Sequence, residues 1–320
     1  MKHFLPLTSM RIRLTLRNKM FLFFSVIMPF GFFFLYAGVF AKGDPRAVRF
    51  FLGPVVSLAV MGSFWGLSAA LVTFREQGIL RRFHVTPVTA ADMLASSIVA
   101  NYVLTLPTVI IELLFARFLF HVTDFGNVFS FFLLVTVGVV SFASMGLIVA
   151  SVTNTMQETQ VLNQLIWLPL IFLSGATMPL PYLPHVAQKF ALFLPATYLV
   201  WGLQNATFFS RPVWSVLVEA CSLGVWAVLA FFIAAKLFRW EPESKIPRNA
   251  KLWAAATALP FILLGFWENR QGTLLLQSQA AYLAVVHPER YNQSPARPDQ
   301  PPASPDPSNP TDKDESKRPF

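Results

Sequence analysis

The sequence predicts an all-α polytopic membrane protein, and three observations carry that prediction. Of its 320 residues 55% are hydrophobic and only 13% are charged, with a mean hydropathy of +0.54. Soluble domains run at about 25% charged residues, so this chain has too much apolar surface to hide in a core of its own. Its apolar residues also fall in membrane-length runs, since roughly 20 residues cross a bilayer as a helix. The Lys and Arg residues, finally, cluster in the short connections between those runs.

The predicted organisation is a basic leader at 1–19, six spans within 20–241, an extension at 242–291 and a Pro-rich tail at 292–320. The leader alternates at Arg11, Ile12, Arg13, Leu14, Thr15, Leu16 and Arg17, which is a strand pattern. Leu7, Met10 and Leu14 also share one helical face, and an interfacial helix is preferred because the segment feeds a span and has no partner strand. The spans are read at 20–40, 50–74, 93–120, 128–152, 161–174 and 213–238. The first is longer than a signal-peptide core and follows a long basic region, so it is read as permanent. Pro29, Pro54, Pro107 and Pro169 interrupt four of the spans and predict kinks. A seventh candidate at 252–267 carries Pro260 and is short for a crossing; it either spans or lies in the interface. One amphipathic helix is expected over 268–286. The tail cannot bury a core and is expected to be disordered.

Orientation follows from the cations. Lys2, Arg11, Arg13, Arg17, Lys19, Arg75, Arg81, Arg82, Lys236, Arg239, Lys245, Arg248 and Lys251 fall on one side. Lys42, Arg46, Arg49, Lys189 and Arg211 fall on the other. The N-terminus is therefore expected in the cytosol of a cell with a plasma or inner membrane. The net charge of +9 is this loop bias and no nucleic-acid footprint, because no basic stripe lies on a soluble domain.

Between spans two and three runs FREQGILRRFHVTPVTAAD, residues 74–92. Ile79, Leu80 and Phe83 share a helical face, and Arg75, Glu76, Gln77, Arg81 and Arg82 take the remaining positions. Such a helix lies on the membrane surface, where it can dock another protein. Pro87 is expected to stop it. Thr89 and Asp92 have capping-box spacing and predict the start of the next helix.

Chemistry is sparse. No lysine follows a glycine, so a P-loop is absent. His3, His84, His121, His185 and His287 lack ligand spacing. Cys221 reads as a small buried apolar residue. No catalytic, cofactor or metal site is predicted. Charges in or beside spans are Glu112, Arg117, Glu158 and Glu219. Glu112 is the deepest, with Arg117 or a polar group of a neighbouring span as its expected partner. Asn101, Asn163 and Gln164 are expected to bond between helices, while Gly62 and Gly66, and Ser141, Ala143, Ser144 and Gly146, permit close helix approach.

REQGILRRFHVTPVTAADML at 75–94 resembles the segment after the second span in permeases of the type-2 ABC exporter family. LSGATMPLPYLPHVAQKFALFLPATYLVWGLQ at 173–204 is similar to that family's Ser-Gly-x-x-x-Pro turn, leucine-proline step and Pro-x-Thr-Tyr segment. Ile79 between Gly78 and Leu80-Arg81 is a departure, and residues 242–320 lie outside the resemblance. Pro179, Pro181 and Pro184 in that second stretch also forbid one continuous helix, and non-helical backbone at such depth requires protein or a wet cavity around it. The resemblance implies a transport subunit that is not itself an enzyme. Arg75, Glu76, Gly78, Leu80, Arg81 and Arg82 would form a cytosolic coupling helix, and Ser174, Gly175, Pro179, Pro184 and Pro195 an outer re-entrant element. Phe64, Trp65, Trp167 and Phe172 would line a substrate path suited to a hydrophobic or lipid-like cargo. Two copies of a separate P-loop ATPase, carrying ATP and Mg, would dock on a permease homodimer or paralogous pair. The competing readings are an ion- or proton-coupled carrier acting through Glu112, and a membrane scaffold.

Overall fold

The computed structural model describes residues 4–17, 19–84, 88–240 and 249–286, and these are helical with no strand among them. The expected stop at Pro87 and the Pro-rich tail lie outside the described residues. The leader forms α1, Phe4–Arg17, so the helical reading of the alternating pattern holds. α2 spans Lys19–Leu35 and ends in a π turn, Tyr36–Phe40. α3 covers Pro45–Glu76 and is followed by the short α4, Ile79–His84. Then come α5 (Ala90–Phe118), α6 (Val128–Val152) and α7 (Met156–Leu173). α8 (His185–Ala191) and α9 (Pro195–Thr207) are bent by 89° to one another. α10 covers Leu217–Leu237. α11 (Ala250–Ala256), α12 (Leu259–Gln271) and α13 (Thr273–Val286) complete the described chain.

Among the described residues, four helical stretches are long and apolar enough to cross a membrane: α3, α5, α6 and residues 213–237; the bent α8–α9 pair makes a fifth if counted as one span. The first expected span corresponds to α2 continued by its π turn, together Lys19–Phe40. The fifth corresponds to α7, which begins several residues earlier than expected. Its polar first turn is capped by Thr155, whose side chain accepts from the Glu158 amide at 3.2 Å. The seventh candidate is divided between α11 and α12 by a turn at Thr257–Ala258. α2, α3, α5 and α7 each continue through their proline.

α3 is the axis of the bundle, 78% buried over its most apolar window, and packs on α6, α9, α5, α2 and α7. Small residues set the spacing. Gly146 of α6 lies against the Phe64 carbonyl, and a side chain at Gly53 would meet the Gln204 amide of α9 at 2.8 Å. Ser141 donates to the Leu223 carbonyl of α10 at 2.7 Å. Gly62 has open space around it. α5 is 28% buried over its most apolar window, and Val99, Val103, Ile110 and Leu114 face outward, as suits a lipid-facing helix. Cys221 corrects the expectation of burial: it is exposed on the outward side of α10. The single helix expected over 268–286 is also corrected. Gly272 adopts a left-handed conformation (φ 69°), donates to the Glu268 carbonyl at 2.7 Å and ends α12 before α13 begins.

Candidate functional site

One end of the bundle gathers the cations of α1, α4 and the α10 terminus. The turn from α3 into α4 is made by Gly78 (φ 69°), whose amide donates to the Arg75 carbonyl at 3.0 Å. A side chain would be strained there whatever the space. Leu80 is buried against Leu7 of α1 and Met93 of α5, with Phe74 and Phe83 beside them. Arg81 and Arg82 are exposed. The capping box forms: the Asp92 amide donates to Thr89 Oγ1 at 3.1 Å, and the Thr89 amide to Asp92 Oδ2 at 3.3 Å. α4 is thus a short surface helix held between α3 and α5.

Arg75 corrects the expectation that it sits on the polar side of that surface helix. α3 continues to Glu76, so Arg75 follows the buried phase of α3 and is 3% exposed. Its guanidinium donates to the Ala150 carbonyl at 2.9 Å and the Thr153 carbonyl at 2.6 Å. These are carbonyls at the C-terminal end of α6, which lack intrahelical partners and favour a cation. Arg239, which was not singled out as a site residue from the sequence, reaches the same place. It donates to Thr153 O at 2.8 Å, Ser151 O at 3.3 Å and Asn154 Oδ1 at 2.8 Å. Burial pushes the Arg239 guanidinium below its usual range. Its only sequence signal is a cation just past the end of a span. Glu76, exposed as expected, accepts from the Met156 amide at 2.8 Å. The α6–α7 connection is therefore clamped by the end of α3 and by the segment after α10, and α4 is joined to that clamp through Gly78.

At the opposite end, residues 174–195 form one broken element. Ser174 closes α7 and Gly175 turns at φ 91°, a region closed to most side chains. Pro179 precedes a 3₁₀ turn (Leu180–Tyr182), Pro184 precedes α8 and Pro195 opens α9. The irregular carbonyls are satisfied from within the protein. Tyr36 Oη donates to Ala176 O at 2.8 Å, Thr197 Oγ1 to Ala191 O at 2.6 Å and Tyr198 Oη to Leu192 O at 2.7 Å. Backbone so protected can sit at membrane depth. The hydroxyls of Tyr182 and Tyr282 are hydrogen-bonded to each other, joining α13 to this element. Nearby, Arg49 donates to Thr207 O at 2.7 Å and pairs with Asp124 at 2.7 Å, tying α3 to α9 and to the α5–α6 connection.

Three of the four expected path residues meet. Trp167 of α7 stacks on Phe64 at 6.4 Å between centroids and meets Trp65 edge-on at 6.2 Å. Phe172 does not join them. It is 57% exposed, sharing an outward face of α7 with Leu165 and Leu168, while Asn163, Trp167 and Leu170 point inward at helical spacing. Asn163 and Ser68 exchange hydrogen bonds at 2.8 and 3.1 Å beside this cluster, and Asn101 donates to the Ser63 carbonyl at 3.3 Å. Gln164 is exposed. Glu112 is fully buried, and neither carboxylate oxygen has a hydrogen-bond partner among the described residues. The expected pairing with Arg117 is not made: Arg117 Nη1 donates to Val122 O at 3.4 Å and Thr123 O at 3.1 Å.

Residues 3–208 match the family described as "ABC-2 type transporter". Among curated relatives, "Probable multidrug ABC transporter permease YbhS" of Escherichia coli K12 is 25% identical over 166 residues, 51% of this chain and 44% of that protein. "Putative transport permease YvfS" of Bacillus subtilis is 22% identical over 228 residues, 69% of this chain and 92% of that protein. "Nodulation protein J" of Bradyrhizobium diazoefficiens is 33% identical over 98 residues, 31% of this chain and 37% of that protein. The chain spans less than half the length of the E. coli relative it matches.

Proposed function

This chain belongs to the ABC-2 type transporter family of membrane proteins, and on that premise we propose that it is the permease subunit of an ATP-driven exporter. The observation that carries the reading is α4: a short helix at the cation-rich end, anchored by buried Leu80 and presenting Arg81 and Arg82 outward. In this reading that end is cytosolic, and two copies of a separate P-loop ATPase, bringing ATP and Mg, press on α4 in a pair of permeases. The pair is a homodimer or includes a paralogous permease. Gly78 and the clamp of Arg75, Glu76 and Arg239 carry the displacement to α3, α6, α7 and α10. Residues 174–195 form a re-entrant element on the outer side, and α11 with α12 cross the membrane as a seventh segment. Phe64, Trp65 and Trp167 offer an aromatic surface suited to a hydrophobic or lipid-like cargo, and the relative named as a multidrug permease favours the same class.

The test is export from inverted membrane vesicles carrying this chain and its candidate ATPase, with a lipophilic fluorescent dye as cargo. ATP-dependent dye movement in the wild type that disappears in Arg81→Ala/Arg82→Ala, with both proteins still inserted, is the expected result. Movement that ignores ATP and both arginines overturns the reading. A second reading, a proton-coupled carrier, is favoured by the buried carboxylate of Glu112, which has no hydrogen-bond partner among the described residues. It requires transport driven by a pH gradient alone and abolished in Glu112→Gln.

A further inference from the structure

Arg11 is the unexplained residue of the cation-rich end. Its neighbours on α1, Arg13 and Arg17, are exposed, whereas Arg11 is 3% exposed. Its guanidinium carbon lies 5.1 Å from the centroid of the Phe74 ring, a cation–π contact at the end of α3. Nε and Nη2 have no hydrogen-bond partner among the described residues. Burial lowers its pKa to about 9, so it is still a cation at neutral pH. The Phe74 face leaves those two donors unused, and a buried charge so incompletely compensated opposes folding, so Arg11 points to an anion.

Arg11 lines a cavity of about 180 Å³ between α1, α3 and α5. Thr15, Thr73 and Asn101 add polar groups to its wall, while Leu14, Leu67 and Leu104 make the rest apolar. A free inorganic anion would use only the polar part of such a wall. A molecule with an anionic head and a hydrocarbon tail would use both. The planar guanidinium suits a phosphate head, because its donors are arranged as a fork.

We propose that the cavity between α1, α3 and α5 is a binding site for an anionic amphiphile, with its phosphate head on Arg11 and its acyl chain along the α3 and α5 wall. The site adjoins the α3 end that carries Arg75 and leads into α4, so its occupancy would bear on the same helix terminus. The inference does not depend on the export reading, because binding is measured without an ATPase.

The experiment uses the full chain in phosphatidylcholine nanodiscs with fluorescently labelled phosphatidylglycerol as the probe. sn-Glycerol 3-phosphate is added in a second arm as the headgroup without a tail. Arg11→Gln is expected to weaken probe binding by about tenfold, the loss of one charge-assisted contact, while Arg13→Gln, equal in charge change, alters it less than about twofold. Ala100→Leu narrows the same cavity with the guanidinium intact and is expected to weaken binding comparably, which covers the case in which Arg11→Gln does not fold. Equal losses in Arg11→Gln and Arg13→Gln overturn the proposal in favour of surface charge. Displacement of the probe by equimolar glycerol phosphate overturns it in favour of a free-phosphate site. Unchanged binding in both Arg11→Gln and Ala100→Leu overturns it outright.

Discussion

The contact between α3 and α6 at Gly146 makes the sharpest demand on stability. A Cβ at Gly146 would collide with the Phe64 carbonyl oxygen and come within 3.2 Å of its carbon and 3.3 Å of its Cα. All three atoms are backbone of the central helix, so no side chain can swing aside. Overpacking of this kind costs about 1–3 kcal/mol. Replacing a helical glycine by alanine independently stabilises the helix by about 1 kcal/mol. Gly31 of α2 is exposed with nothing within 4 Å, so Gly31→Ala contains the second effect alone. Gly146→Ala should therefore be about 1–3 kcal/mol less stable than Gly31→Ala, the propensity gain cancelling in the comparison. The assay is denaturant-induced unfolding of the purified full chain in detergent micelles, followed by tryptophan fluorescence. Equal stability of the two variants would refute the backbone-to-backbone packing of α3 on α6.

Two further outcomes follow from single contacts. Ser68→Ala leaves the buried Asn163 amide without its recorded partner and should cost about 1–3 kcal/mol in the same assay, with Asn163→Leu in that background recovering part of the loss. Thr89→Val removes the cap of α5 and should cost about 1 kcal/mol, read as faster amide exchange confined to the first turn of α5.

The parts of the fold legible in the sequence were those governed by local chemistry. The long apolar runs gave α3, α5, α6 and α10 to within a few residues, and the Thr89–Asp92 spacing gave the start of α5. The prolines after Ser174 marked the broken element, because proline acts on its own backbone. Contacts that depend on what lies across the bundle were not legible. In sequence Arg75 reads as part of a surface helix; α3 instead runs two turns of buried phase up to it and sets it under the end of α6. Arg239 carried no signal of the clamp it shares with Arg75, since its partners are carbonyls more than 80 residues away. Composition groups Phe172 with Trp167, yet the five-residue interval puts it on the outward face of α7. Glu112 stands out in the sequence as the deepest acid within a span, but that its carboxylate oxygens have no hydrogen-bond partner among the described residues is a fact of three dimensions.

The measurement closest to the central claim is photo-crosslinking from α4. A crosslinking amino acid is placed at Arg82, which is exposed, in membranes that also contain the candidate P-loop ATPase, and the same group at Arg46 near the opposite end serves as the control. The account predicts an adduct with the ATPase from position 82 and none from position 46. Adducts from neither position, or from both alike, in chains that are inserted and folded, would contradict the assignment of α4 as the surface on which an ATPase acts.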